Sequence, residues 1–138
     1  MEQMKDKIFA DSNVFLYLLS DDERKKAIAK EILKKKPVIS VQVISENINV
    51  LIKKFTQLKF QQIEHHTKIL SNYCSVSPVT ILTIETALAL KKKYGYQWYD
   101  CTILSSALLD DCAIIYSEDM QHNQLINEKL KIINPFIL

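Results

Sequence analysis

The ten residues Ile8-Phe9-Ala10-Asp11-Ser12-Asn13-Val14-Phe15-Leu16-Tyr17 decide how the rest of the chain is read. Ile8 to Ala10 is a short apolar run that reads as a buried strand. Val14 to Leu19 reads as a short apolar helix behind it. Between the two stands a carboxylate. Carboxylates avoid burial unless they are paired or bound to a cation, so Asp11 at that junction asks for a cap, a partner or an ion.

Further along, the strand-then-helix pattern repeats. Asp22 to Lys36 is rich in helix formers, with Ala27, Ile28, Ile32 and Leu33 as its apolar stripe, and Pro37 stops it. Val38-Ile39 is a second short strand. Ser40 is placed to cap a helix running to about Phe55, whose main apolar face is Ile44, Ile48, Leu51 and Phe55. Phe60 to Cys74 reads as a further helix. Val76 to Val79, interrupted by Pro78, suits an edge strand. Thr83 to Tyr94 is a helix closed by Gly95, and Cys101 to Leu109 is another. Ala113 to Tyr116 and Lys131 to Asn134 complete the strands. Short strands alternating with helices predict an α/β fold, a central mainly parallel sheet flanked by helices, with residues 1–138 forming a single domain.

Composition removes several function classes. At 138 residues and 48% apolar content the chain can bury one core. No apolar run reaches the length of a membrane span. The opening Met1 to Lys7 is polar and lacks the apolar core of a signal peptide, so a cytoplasmic protein is expected. The three cysteines, Cys74, Cys101 and Cys112, form no C-x-x-C and have apolar neighbours, which favours packing over disulfides or zinc. The single glycine, Gly95, excludes a Rossmann fingerprint and a P-loop, both of which need several glycines in one turn. Net charge is +2, from 18 basic and 16 acidic residues. The bases cluster at Lys25 to Lys36 and at Lys91 to Lys93, either as solvated helix faces or as a rim that attracts phosphate.

Three other acids repeat the situation of Asp11. Glu46 lies within Val41 to Glu46, Asp100 follows Gln97-Trp98-Tyr99, and Asp119 closes Ala113 to Glu118. Ligands in open parallel sheets gather beyond the carboxyl ends of strands, where Asp11 and Asp119 fall. Brought together, the four form an all-oxygen site suited to Mg²⁺ or Mn²⁺. Three also have a purely structural reading, Asp11 and Asp100 as helix caps and Asp119 as a turn residue, while the apolar flanks of Glu46 make a purely solvated role the least natural for it. His122, three residues after Asp119, reads as a surface loop residue or a substrate contact, and the adjacent pair His65-His66 argues against zinc because neighbours on a helix do not share a face. Tyr96, Trp98 and Tyr99 offer either base stacking or core packing.

Taken in order, these motifs resemble those of the PIN-domain ribonucleases, most closely VapC-type toxins of bacterial toxin–antitoxin pairs. Phe9 to Tyr17 is similar to the family's first motif, Ser40 to Glu46 to its second, Tyr99 to Leu104 to its third and Tyr116 to Gln121 to its fourth. Ile132 to Phe136 resembles the closing strand. The resemblance implies that Asp11, Glu46, Asp100 and Asp119 are catalytic and hold the divalent ion. It implies that Ser12, Asn13 and Ser117 orient these acids or a water. Glu118 competes with Asp119 for the fourth position, and the register relative to Ser117 favours Asp119.

The activity so implied is metal-dependent hydrolysis of RNA phosphodiesters by water, leaving 5′-phosphate and 3′-hydroxyl ends. No residue reads as a covalent nucleophile. The implied partners are RNA (a tRNA or a ribosomal RNA), a cognate antitoxin protein and a second copy of the chain in a homodimer, with no membrane. Two other readings stay open: a PIN nuclease of RNA maturation or decay without antitoxin, and a non-enzymatic α/β binding module whose acids are caps.

Overall fold

The structure, a computed structural model, describes residues 6–137. Met1 to Lys5, most of the stretch read above for a signal peptide, lies outside the described residues. Among the described residues six short strands form one sheet: β1 Ile8–Ala10, β2 Val38–Ser40, β3 Ser75–Ser77, β4 Ile114–Tyr116, β5 Leu125–Ile126 and β6 Leu130–Ile133. Their order across the sheet is β3-β2-β1-β4-β6-β5. β1 pairs in parallel with β2 and β4, β2 with β3, and β4 with β6. Only β5 runs antiparallel, against β6. The mainly parallel sheet is as expected, with β3 at its edge and Pro78 just beyond.

The β5–β6 hairpin was not expected. Leu125-Ile126 is too short for an alternating pattern to be read. Its turn contains no glycine, and Asn127 and Glu128 take φ of 49° and 58°. The Lys129 N–H closes it on the Ile126 carbonyl at 3.0 Å.

Six α-helices surround the sheet among the described residues: α1 Ser12–Leu16, α2 Glu23–Lys34, α3 Val41–Lys54, α4 Phe60–Tyr73, α5 Ile81–Tyr94 and α6 Trp98–Leu109. A single 3₁₀ turn, Tyr17–Leu19, follows α1 in place of the continuous helix read there. α5 starts earlier than expected because Thr80 caps it, its hydroxyl accepting from the Thr83 N–H. Gly95 closes α5 at φ 75°, in the left-handed region that suits glycine.

Two helix faces are rotated from their predicted positions. In α2 the buried residues are Ala29 and Ile32, while Ala27 is exposed. In α3 they are Val43, Asn47 and Leu51, with Ile44, Ile48 and Phe55 half-buried. α3 packs against both α1 and α4, so its buried arc is wider than one stripe and takes in a polar residue. α6 is apolar or small on all sides, and its residues Cys101 to Ala107 are all buried. Phe9, Ile39, Ile115 and Ile132, one from each central strand, are fully buried beneath the helices. Each such side chain contributes roughly 1.5–3 kcal/mol by leaving water. All three cysteines are buried and unpaired, as packing residues.

The chain lays down β1, β2 and β3 toward one edge, then returns to add β4 on the other side of β1. The direction of winding reverses between β1 and β4, the place where ligands of open parallel sheets gather beyond the carboxyl ends of strands. Asp11 directly follows β1 there, and Asp119 follows β4 after a gap of two residues.

Candidate metal centre

Asp11 sits at the reversal. Its N–H donates to the Tyr116 carbonyl at 2.9 Å, clamping the end of β1 to the end of β4. Its Oδ1 accepts from the Ser12 N–H at 2.6 Å, which makes it the N-cap of α1. Its Oδ2 accepts from the Ser117 hydroxyl at 2.8 Å. The residue is 3% exposed. Burial pushes its pKa up to about 7 against the pull of these two hydrogen bonds, and the charges of Asp100 and Glu46 push the same way. Asp11 is therefore a helix cap and, at the same time, a buried carboxylate with a raised pKa.

Asp119 and Glu118 go separate ways. Asp119 is exposed and accepts from Asn13 Nδ2 at 3.1 Å. The Oδ1 of the same Asn13 amide accepts from the Glu118 N–H at 3.2 Å, so one α1 side chain fixes this loop from both sides. The Glu118 carboxylate pairs with Lys25 on α2 at 2.6 Å and accepts from the Tyr17 hydroxyl. Glu118 is thus committed to a partner, and Asp119 is the acid left free.

Glu46 is half-buried in the second turn of α3 and accepts from Gln42 Nε2 at 3.3 Å. Gln42 is itself held, its Oε1 accepting from the Thr102 hydroxyl at 2.6 Å. Asp100 lies in the first turn of α6, but Gln97 is the capping position, so the N-cap reading of Asp100 does not hold. Helix α6 begins three residues earlier than expected, at Trp98. The carboxyl of Asp100 is raised first by burial, then by Asp119 and Glu46.

The charges of Asp100 and Glu46 act on Asp11, and those of Asp119 and Glu46 act on Asp100, although the four come from different parts of the chain. Among the described residues no three carboxylate, histidine or cysteine side chains converge closely enough to grip an ion as they stand. The donor chemistry nevertheless fits a hard divalent cation. It is all oxygen, and among the described residues no cationic side chain pairs with Asp11. Of the small polar residues singled out, Ser12, Asn13 and Ser117 all bond to these acids.

Other candidates find different uses. His122 Nδ1 accepts from the Asn134 N–H at 2.9 Å and holds a turn. His65 is exposed, but His66 is 2% exposed and bonded to Asn47, a contact no sequence signal announced. Tyr96 and Trp98 pack partly into the core, whereas Tyr99 stands out into solvent. Several clustered lysines are engaged internally: Lys25 with Glu118, Lys34 with Glu31, Lys91 with the Tyr96 carbonyl. A cleft of about 570 Å³ opens beside Glu46. A more apolar groove of about 420 Å³, lined by Leu18, Leu33, His65 and Ile69, borders none of the four acids.

The model of the PIN domain family matches residues 8–126. No curated protein matches the chain. Among solved structures, the fold is similar to that of a chain in a toxin–antitoxin complex from Klebsiella pneumoniae, at 19% identity and a TM-score of 0.70, over 94% of this chain and 97% of that one. It is similar to the sarcin–ricin-loop-cleaving toxin VapC20 of Mycobacterium tuberculosis, at 20% identity and a TM-score of 0.66, over 82% of this chain and 90% of that one. FitAcB of Neisseria gonorrhoeae is alike at 14% identity and a TM-score of 0.66, over 95% of this chain and 99% of that one. At such identities the likeness is one of fold. No helix among the described residues is long and apolar enough to cross a membrane.

Proposed function

The chain belongs to the PIN domain family, and from that membership we propose that it is a metal-dependent endoribonuclease, the toxin of a toxin–antitoxin pair. The observation that carries the reading is the environment of Asp11. A buried carboxylate whose pKa stands at about 7, with Asp100 and Glu46 adding repulsion, is a poor structural choice unless a cation offsets the charge.

Asp11, Glu46, Asp100 and Asp119 would hold Mg²⁺ or Mn²⁺. Such an ion, when bound, neutralises charge on the phosphoryl oxygens and makes water a better nucleophile at neutral pH. The side chains around it supply position. Ser117 and the Ser12 N–H aim the two oxygens of Asp11, Asn13 steadies Asp119, and Gln42 steadies Glu46. The Ser117 hydroxyl and the Asn13 amide thus hold Asp11 and Asp119 in place at the β1–β4 reversal before substrate arrives. The partners of this reading are RNA, a cognate antitoxin and a second copy of the chain.

The test is cleavage of total tRNA and ribosomal RNA by purified protein with Mg²⁺, with Mn²⁺ and with EDTA, beside Asp11→Asn. Discrete cuts that need metal and vanish in the variant are expected. Intact RNA throughout, together with no calorimetric binding of either ion, would leave Asp11 as a helix cap and the other three acids with no metal to hold.

A further inference from the structure

We propose that the cleft between α3 and α6 is a subsite for one unpaired nucleobase, stacked on Tyr99 and contacted by Asn49 and Ser45, an inference that rests on the nuclease reading. The cleft holds about 570 Å³ and is bordered by Gln42, Ser45, Glu46, Asn49, Val50 and Tyr99. One of its walls is therefore an acid of the candidate centre. Tyr99 precedes a second, Asp100, in the chain.

Tyr99 is 64% exposed, while its neighbours Tyr96 and Trp98 pack against the core. A lone exposed aromatic is unremarkable by itself. Here its support and surroundings matter. Its backbone lies in the first turn of α6, and its carbonyl accepts from Gln42 Nε2 at 3.3 Å. The ring thus stands on a fixed base at the edge of a cleft. The polar groups facing it divide into two kinds. The Gln42 amide is consumed by Thr102, Glu46 and the Tyr99 carbonyl. Ser45 and Asn49 are exposed, and their side chains form no hydrogen bond among the described residues.

Ser45, Asn49 and Lys53 repeat at four-residue spacing and so share one exposed stripe of α3. Lys53 lies about 10 Å along the helix from Glu46 at 1.5 Å per residue, away from the acids. An RNA strand whose backbone meets a carboxylate cluster needs its grip elsewhere. An aromatic face for a base, an amide and a hydroxyl for its edge, and a cation for the next phosphate supply that grip in a line.

The experiment is fluorescence anisotropy of short labelled oligoadenylate, oligouridylate and oligocytidylate with the full chain, in Mg²⁺, in an Asp11→Asn background that prevents cleavage. Tyr99→Ala is expected to weaken binding about tenfold, with Tyr99→Phe retaining it. Asn49→Ala is expected to change the order of preference among the three more than their average affinity. Equal affinity in Tyr99→Ala overturns the subsite. So does a loss of binding accompanied by a fall in native mass, which would assign the ring to a contact with a second copy. Absence of binding to all three by a chain whose parent cuts RNA overturns it as well. If the parent neither cuts RNA nor binds any of the three, the nuclease reading falls and the subsite falls with it.

Discussion

His66 Nε2 lies 2.9 Å from Asn47 Oδ1, and the two side chains meet in the protein interior. The other end of the Asn47 amide donates to the Ser12 carbonyl at 2.9 Å and to the Val43 carbonyl at 3.1 Å. Two carbonyl acceptors fix which end of the amide is nitrogen, so His66 must be the donor from Nε2. Ser12 follows Asp11, and the pair therefore ties α4 to the residue beside the buried acid.

Burial, and next the nearby His65, hold the pKa of His66 down at about 4 against an ordinary 6.5. The folded state thus binds a proton less readily than the unfolded chain. The stabilisation is fully present above pH 6.5 and is lost as pH falls through that window toward about 4. The swing at stake is ~3 kcal/mol. Urea unfolding at stepped pH across the window should show the loss as the difference between the parent and His66→Gln, a difference in which the opposite contribution of Asp11 cancels. His66→Gln keeps a donor but cannot titrate.

Asp11 acts in the opposite direction. Its folded pKa, about 7, stands above the unfolded 3.8, with burial the largest cause. Its contribution is intact below 3.8 and is lost as pH rises through about 7. In EDTA the parent should lose up to ~4 kcal/mol relative to Asp11→Asn as pH rises across that range, the shared contribution of His66 cancelling in the difference. Mg²⁺ or Mn²⁺ should raise the melting temperature of the parent at neutral pH and leave the variant unmoved. Equal metal response in the two proteins would remove Asp11 from the ion's shell.

How much of this was legible beforehand depended on the reach of each signal. Strand, acid and helix in Ile8 to Tyr17 are local, and so were the capping serine Ser40 and the closing Gly95; the structure keeps all of them. The rotated faces of α2 and α3 were not legible. Periodicity finds one apolar stripe, whereas α3 is packed on two sides and hides Asn47 as well. The β5–β6 hairpin was missed because its turn uses Asn127 and Glu128 where glycine would have announced it. Around the acids, the small polar neighbours Ser12, Asn13 and Ser117 could be named from the motifs. Gln42 stands four residues before Glu46 on α3, a spacing visible in the sequence, whereas Thr102 and Lys25 meet their partners only through the fold.

Glu118 and Asp119 are adjacent in sequence, and the structure gives them different employment. Glu118 is bonded to Lys25 and Tyr17, and that pairing, chiefly the bond to Glu118, raises the Lys25 pKa. The network joins the loop after β4 to the 3₁₀ turn behind α1 and to α2. Asp119 touches only Asn13 and adds its charge to Asp100. Glu118→Gln should therefore lower the melting temperature and leave the affinity for Mg²⁺ or Mn²⁺ near that of the parent. Asp119→Asn should do the reverse: a small change in melting temperature and a metal affinity reduced severalfold, since one repelling charge is removed along with a ligand. Calorimetric titration of each ion into the two variants, beside their thermal unfolding, separates the cases. If metal affinity falls in Glu118→Gln and holds in Asp119→Asn, the assignment of the fourth acid is inverted.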